Sequence, residues 1–233
     1  MFVHFFRNVI CAAVISTASL SPVLATNGGI ILNGTRIIYP ARQTQVSISV
    51  RNTSDEFNYL VQSWVEKAEG GKSQDFIVTP PLYVSGSGHE NTLRLMYVGL
   101  PVRTDRESLY YFNSKAIPSI EKEKVEGKNT LMVAAVTRIK LFVRPAGLTP
   151  SIEEAPAELR FHRIGSQMRI TNPTPYYLTL VEMNMAGKTL PVTMVAPQDS
   201  VLLSLPAGAG NTVVFRTIND FGSMTSESLV NLQ

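Results

Sequence analysis

An all-β fold, arranged as a sandwich or barrel, is predicted by three features of the sequence. Apolar residues recur with a period of two rather than 3.6. The runs are short and separated by Gly-containing or charged turns. No amphipathic stretch reaches three helical turns.

The alternation is clearest at 45–52, where Val46, Ile48 and Val50 interleave with Gln45, Ser47, Ser49 and Arg51. Successive side chains of an extended chain point to opposite faces, so this strand has one wet side. Similar runs lie at 59–65, 76–78, 92–98, 109–112 and 131–143, with turn-forming clusters at 69–72, 85–88 and 125–128. Two prolines and a glycine at 144–150 then interrupt the pattern, as an interdomain elbow would. Beyond it the rhythm resumes at 159–162, 168–171, 176–183, 201–205, 212–217 and 229–232, with turns at 186–188 and 206–211. The expected organisation is therefore two sandwiches in tandem, over 26–145 and 146–233.

Residues 1–25 have the layout of a secretory signal. Arg7 is their only full charge, a mostly apolar run extends from Val9 to Leu20, and small residues precede a cleavage point after Ala25. The apolar run is shorter than the ~20 residues that span a bilayer. Export is expected. The single cysteine, Cys11, lies inside this leader, so the mature chain has no disulfide and rests on its own core.

The formal charge is only +3, and basic residues are scattered. The densest charged run, 121–126, alternates in sign and reads as a solvated loop, so no nucleic-acid partner is expected. His89 and His162 lack a second histidine at metal-ligand spacing, and the mature chain has no thiol, so no metal is expected. Neither a Gly-x-Ser-x-Gly elbow nor a phosphate-cradling Gly-x-x-x-x-Gly-Lys-Ser is present. No catalytic residue, cofactor or ATP is assigned, and the chain reads as a non-enzyme. Only a constellation drawn from distant segments escapes a reading of local spacing.

One strand departs from the half-buried pattern. Leu131-Met132-Val133-Ala134-Ala135-Val136 is apolar at both parities. Either it lies under a domain interface, or its outer face is reserved for a partner. The strand then turns basic, with Arg138, Lys140 and Arg144 on one face and apolar residues at 139, 141, 142 and 143. Covered cations call for carboxylates, because breaking a buried pair costs about 3–5 kcal/mol. Those carboxylates belong either to this chain or to a partner.

Seven stretches stand out in order along the chain. They are Thr35-Arg36-Ile37-Ile38-Tyr39-Pro40, Tyr59-Leu60-Val61-Gln62-Ser63-Trp64, Thr79-Pro80-Pro81, and the segment from Asp105 to Asn113. Arg138-Ile139-Lys140-Leu141-Phe142-Val143-Arg144-Pro145, Asn172-Pro173-Thr174-Pro175-Tyr176-Tyr177 and Ile218-Asn219-Asp220-Phe221-Gly222 complete the set. Together they resemble the periplasmic pilus chaperones of the chaperone–usher pathway. The resemblance implies two immunoglobulin-like sandwiches set as a boomerang around a cleft, and a periplasmic location. It implies that Arg36 and Lys140 bind the terminal carboxylate of a pilus subunit. It also implies that Glu107, Arg144 and Asp220 form a structural ion-pair network between the domains, and that Thr79-Pro80 matches a cis peptide.

In the family the two-faced strand is lent to a fimbrial subunit that lacks its own last strand, by β-strand addition. Here Leu131, Val133 and Ala135 correspond to the donor residues, and Ala135 stands where larger side chains are usual. The donor set is odd-numbered and Lys140 even, which implies a bulge or twist between them. The loop between Phe112 and Leu131 resembles the family's short form. The implied partners are pilin subunits and an outer-membrane usher, and self-association of the free molecule through the apolar strand is left open. The alternative is a secreted structural or adhesive immunoglobulin-like protein, which needs neither a cationic cleft nor a bifacial apolar strand.

Overall fold

The computed structural model describes residues 28–100, 103–119 and 133–233. The leader and Leu131 lie outside these residues. Nine strands form the first unit: β1 (Ile30–Leu32), β2 (Arg36–Pro40), β3 (Val46–Asn52), β4 (Tyr59–Lys67), β5 (Phe76–Thr79), β6 (Leu82–Ser85), β7 (Glu90–Tyr97), β8 (Ser108–Pro118) and β9 (Ala135–Arg144). They make two sheets, ordered β1-β3-β7-β5 and β2-β9-β8-β4-β6.

The period-two pattern has the expected result. Ile48 and Val50 are buried, together with Leu93 and Leu95 of β7, against Ile37, Tyr39, Phe112, Ile139, Leu141 and Val143 of the facing sheet. The aromatic rings of Phe76 and Tyr39 meet edge to face at 5.6 Å, closing one end of this core.

A short 3-10 turn (Ala155–Glu158) opens the second unit. Its strands are β10 (Arg160–Ile164), β11 (Gln167–Asn172), β12 (Leu178–Met185), β13 (Lys188–Thr189), β14 (Thr193–Val195), β15 (Asp199–Ser204), β16 (Thr212–Thr217) and β17 (Ser228–Asn231). One sheet runs β10-β11-β15 and the other β13-β12-β16-β17, with β14 also on β12. Phe161, Met168, Ile170, Leu180, Met183 and Phe215 are buried between them. The architecture is a tandem of immunoglobulin-like sandwiches.

Both units close one corner with the same device. Asn52, at the end of β3, donates from Nδ2 to the carbonyls of Phe57, Ser85 and Gly86. Asn172, at the end of β11, donates likewise to Tyr176, Val195 and Ala196. Each is fully buried, so these bonds meet the cost of desolvating the amide.

Four short strands, β1, β6, β13 and β14, do not stand out in the sequence because two to four residues carry too little periodicity. β8 also runs well past the apolar stretch 109–112, since it is paired on both sides, with β4 and β9. The Thr79–Pro80 peptide is cis, as is Thr149–Pro150.

The first β-strand pair decides the shape of the candidate site. β1 belongs to one sheet and β2 to the other, so the chain crosses between sheets at Asn33–Thr35. Gly34 makes that crossing with φ of 128°, a region that favours glycine. β2 therefore begins only at Arg36, and it pairs in parallel with the second half of β9, from Arg36↔Lys140 to Pro40↔Arg144. β8 covers the other side of β9 along its whole length, from Ser108↔Val143 to Ala116↔Ala135. Among the described residues, the edge of β9 from Ala135 to Ile139 has no strand beside it.

Candidate functional site

The two faces of β9 have different fates. Ile139, Leu141 and Val143 point into the first core. Val133 and Ala135 continue that odd-numbered line past the end of the core and are exposed, Val133 at 66%. On the even side Val136 is also exposed. The described part of the apolar segment, 133–136, thus lies under no domain interface. The implied bulge is absent between Ala135 and Val143, where the register to β8 is continuous. Odd-numbered Ala135 and even-numbered Lys140 need no bulge, because they lie on opposite faces of one regular strand.

The three cations of the even face are satisfied differently. Arg138 lies 3.3 Å from a Glu66 carboxylate oxygen and stacks 3.8 Å over the Tyr111 ring. Arg144 donates from Nε to Glu107 (2.7 Å), and from both terminal nitrogens to Asp220 (2.5 and 2.7 Å). Lys140 has only a hydroxyl: its Nζ donates to Thr179 Oγ1 of β12 at 3.0 Å. The register places Arg36 directly beside it. Arg36 donates from Nη1 to the carbonyl of Ile218 at 3.1 Å, and its buried Nε has no acceptor. Among the described residues, neither Arg36 nor Lys140 has a carboxylate within ion-pair distance.

Two like charges that are partly buried and unpaired disfavour their own protonation. Burial, and after it the Arg36 charge, hold the Lys140 ammonium below its ordinary range. Burial likewise lowers Arg36, partly offset by the more distant Asp220 and Glu107. An arriving anion relieves both costs, and a terminal carboxylate has the size and charge for two converging donors.

The network behind this pair joins the two units. Glu107 is almost fully buried, and its second carboxylate oxygen accepts the Tyr177 backbone N–H at 2.8 Å. Its own N–H donates to the Pro175 carbonyl at 2.9 Å. Burial opposes the Arg144 charge, but the carboxylates of Asp220 and Glu107 outweigh it and hold the guanidinium well above its ordinary range. Phe142 packs its ring 5.6 Å from that of Tyr177 beside this network. Sequence reasoning names Glu107, Arg144 and Asp220 but misses Thr179 and the Ile218 carbonyl. A strand threonine and a backbone oxygen carry no sequence signal of their own.

The chain matches two family models: the N-terminal domain of the PapD pili and flagellar-assembly chaperones over residues 29–149, and the PapD pili assembly chaperone C-terminal domain over 154–229. It is 44% identical over 205 residues to a probable fimbrial chaperone, SfmC, of Escherichia coli strain K12, covering 88% of this chain and 89% of that one. It is 45% identical over 198 residues to the chaperone protein FimC of Escherichia coli O6:H1, covering 84% and 82%. Among solved structures, the periplasmic chaperone SfaE superposes with a TM-score of 0.76 at 41% identity, over 86% of this chain and 98% of that one. A Salmonella enterica SafB chaperone in complex with the SafA pilin matches with a TM-score of 0.80 at 29% identity, over 88% and 97%. With both domain models matched across the described strands, this chain belongs to the PapD-type pilus-assembly chaperone family.

Proposed function

We propose that this fimbrial chaperone captures pilus subunits by lending them the free edge of β9 and clamping their terminal carboxylate between Arg36 and Lys140. The observation that carries this reading is the half-open edge. Backbone groups of Ala135–Ile139 are available on one side, beside exposed apolar side chains at Val133, Ala135 and Val136. Such an edge is a template for strand addition.

The geometry also selects a direction. A strand added there is collinear with β2 and stops where β2 begins, at Arg36. Running parallel, it presents its C-terminal carboxylate to the two cations. Running antiparallel, it would present an α-ammonium to them, which like-charge repulsion disfavours. Each charge-assisted hydrogen bond contributes about 1.5–3 kcal/mol.

In this reading Val133 and Ala135, preceded by Leu131, fill a groove in the subunit, with the weaker contact at Ala135. Glu107, Arg144 and Asp220 set the angle between domains 26–145 and 146–233 and do not touch the subunit. The complex forms without ATP in the periplasm, after cleavage of the leader, and is passed to an outer-membrane usher. The apolar leader and the relatives' names support that setting.

The test is co-expression with the pilus subunit encoded in the same gene cluster, comparing wild type with Arg36→Ala and Lys140→Ala. A one-to-one complex is expected from wild type and from neither variant, while both variants fold. Equal recovery of subunit by the variants removes the anchoring role.

A further inference from the structure

The loop between β16 and β17 carries a feature that the anchoring cations do not use. Phe221 is 91% exposed, although its neighbours on both sides are pinned. Asp220 is bound to Arg144 by two hydrogen bonds. Gly222 holds φ of 82° and lies so near the first domain that a Cβ there would stand 2.2 Å from Thr35 Oγ1. Within the loop, Asn219 Oδ1 accepts the N–H groups of both Phe221 and Ser223. The loop is therefore ordered by its own hydrogen bonds and docked on Thr35, just before β2 and next to Arg36. Two large apolar side chains of the loop are left in water, Met224 in part and Phe221 almost entirely.

The Phe221 side chain borders a pocket of about 310 Å³ whose walls include Ile152, Pro156, Leu178 and Ile218. The pocket and the anchor share an element, since the Ile218 carbonyl is the acceptor for Arg36. Leaving a phenyl ring exposed forgoes the favourable burial of its apolar surface. A rigid, exposed aromatic beside an apolar pocket has the composition of an interface anchor, in which little ordering entropy remains to be lost.

We propose that Phe221 and this pocket form a second contact for the same pilus subunit, receiving an apolar side chain from the body of the subunit whose carboxylate sits between Arg36 and Lys140. This rests on the proposed anchoring. The occupant follows from position. β2 is the outermost strand of its sheet, and a strand added upstream of it continues that outer line. The rest of the partner's sheet then lies beyond the added strand, past Thr35, where the loop is docked. Phe221 is thus a specificity-determining residue rather than a structural one.

The test uses the full chain and the pilus subunit encoded in the same gene cluster. Purified Phe221→Ala, Phe221→Tyr and Lys140→Ala each compete with tagged wild-type protein for that subunit, and each variant's thermal midpoint is measured. Phe221→Ala is expected to hold the subunit about 10- to 100-fold more weakly, with an unchanged midpoint. Phe221→Tyr should retain most of the affinity, because it keeps the ring. If Phe221→Ala competes as well as wild type while Lys140→Ala does not, the second contact is wrong and the anchor stands. A lowered midpoint for Phe221→Ala would make the ring structural and also overturn the proposal. Equal competition by all three would overturn the anchoring itself.

Discussion

Replacing Arg144 by methionine tests how the two domains are held. Its guanidinium is the single cation between Glu107, whose side chain is 1% exposed, and Asp220, at 28%. Two unit charges about 4 Å apart attract by roughly 4 kcal/mol at an effective dielectric near 20. Losing the cation strands the Glu107 carboxylate in the interior with only the Tyr177 N–H, for which the expected cost is about 3–5 kcal/mol. Asp220→Asn removes a more solvated partner and leaves the buried pair intact, so about 1 kcal/mol is expected. Adding Glu107→Gln to Arg144→Met should restore part of the loss, since no buried charge then remains.

Urea unfolding followed by Trp64 fluorescence is the assay, because the chain's one tryptophan lies in β4 of the first domain. With a slope of about 2 kcal/mol per M, the midpoint of Arg144→Met should fall by about 1.5–2.5 M. The reasoning fails if Asp220→Asn costs as much as Arg144→Met, or if the double variant is less stable than Arg144→Met alone.

Two further outcomes follow from the site. Val133→Asp places a charge on a residue already 66% exposed, so the free protein should keep its stability to within about 0.5 kcal/mol. The subunit complex, however, should weaken by at least the burial of one valine, about 1.5–3 kcal/mol or 10- to 150-fold by competition. Equal affinity would place Val133 outside the interface. Lys140→Met concerns pH. The folded state holds the Lys140 ammonium below its ordinary value, so between the two values the unfolded chain binds the extra proton. Stability then rises with pH across that window. The wild-type thermal midpoint should gain on that of Lys140→Met as pH climbs towards about 10.5, with Lys140→Met the more stable at neutral pH. Parallel curves for the two proteins would show that Lys140 is not desolvated.

Much of the fold is legible in the chain because a sandwich writes itself as alternation. Ile48 and Val50, or Leu93 and Leu95, are buried one in two since each sheet has one dry face. The bifacial run ending at Val136 is the informative exception, and the exposure of its described residues, 133–136, excludes burial under a domain interface. The cations of β9 are equally visible as residues. Their division is not. Arg138 and Arg144 take the chain's own carboxylates from Glu66, Glu107 and Asp220, which are distant in sequence, whereas Lys140 takes only Thr179.

What the sequence by itself determined is the class of fold, the two-domain organisation and the presence of an apolar strand that runs into cations, because periodicity and composition are local properties. The tertiary structure alone decided three things. Among the described residues, β2 begins at Arg36 and leaves half of β9 open; Arg36 and Lys140 come side by side with no acid between them; and the 218–224 loop holds Phe221 in the open. Each is a juxtaposition of segments a hundred or more residues apart, and strand pairing and charge burial between such segments leave no mark on the local pattern of either one.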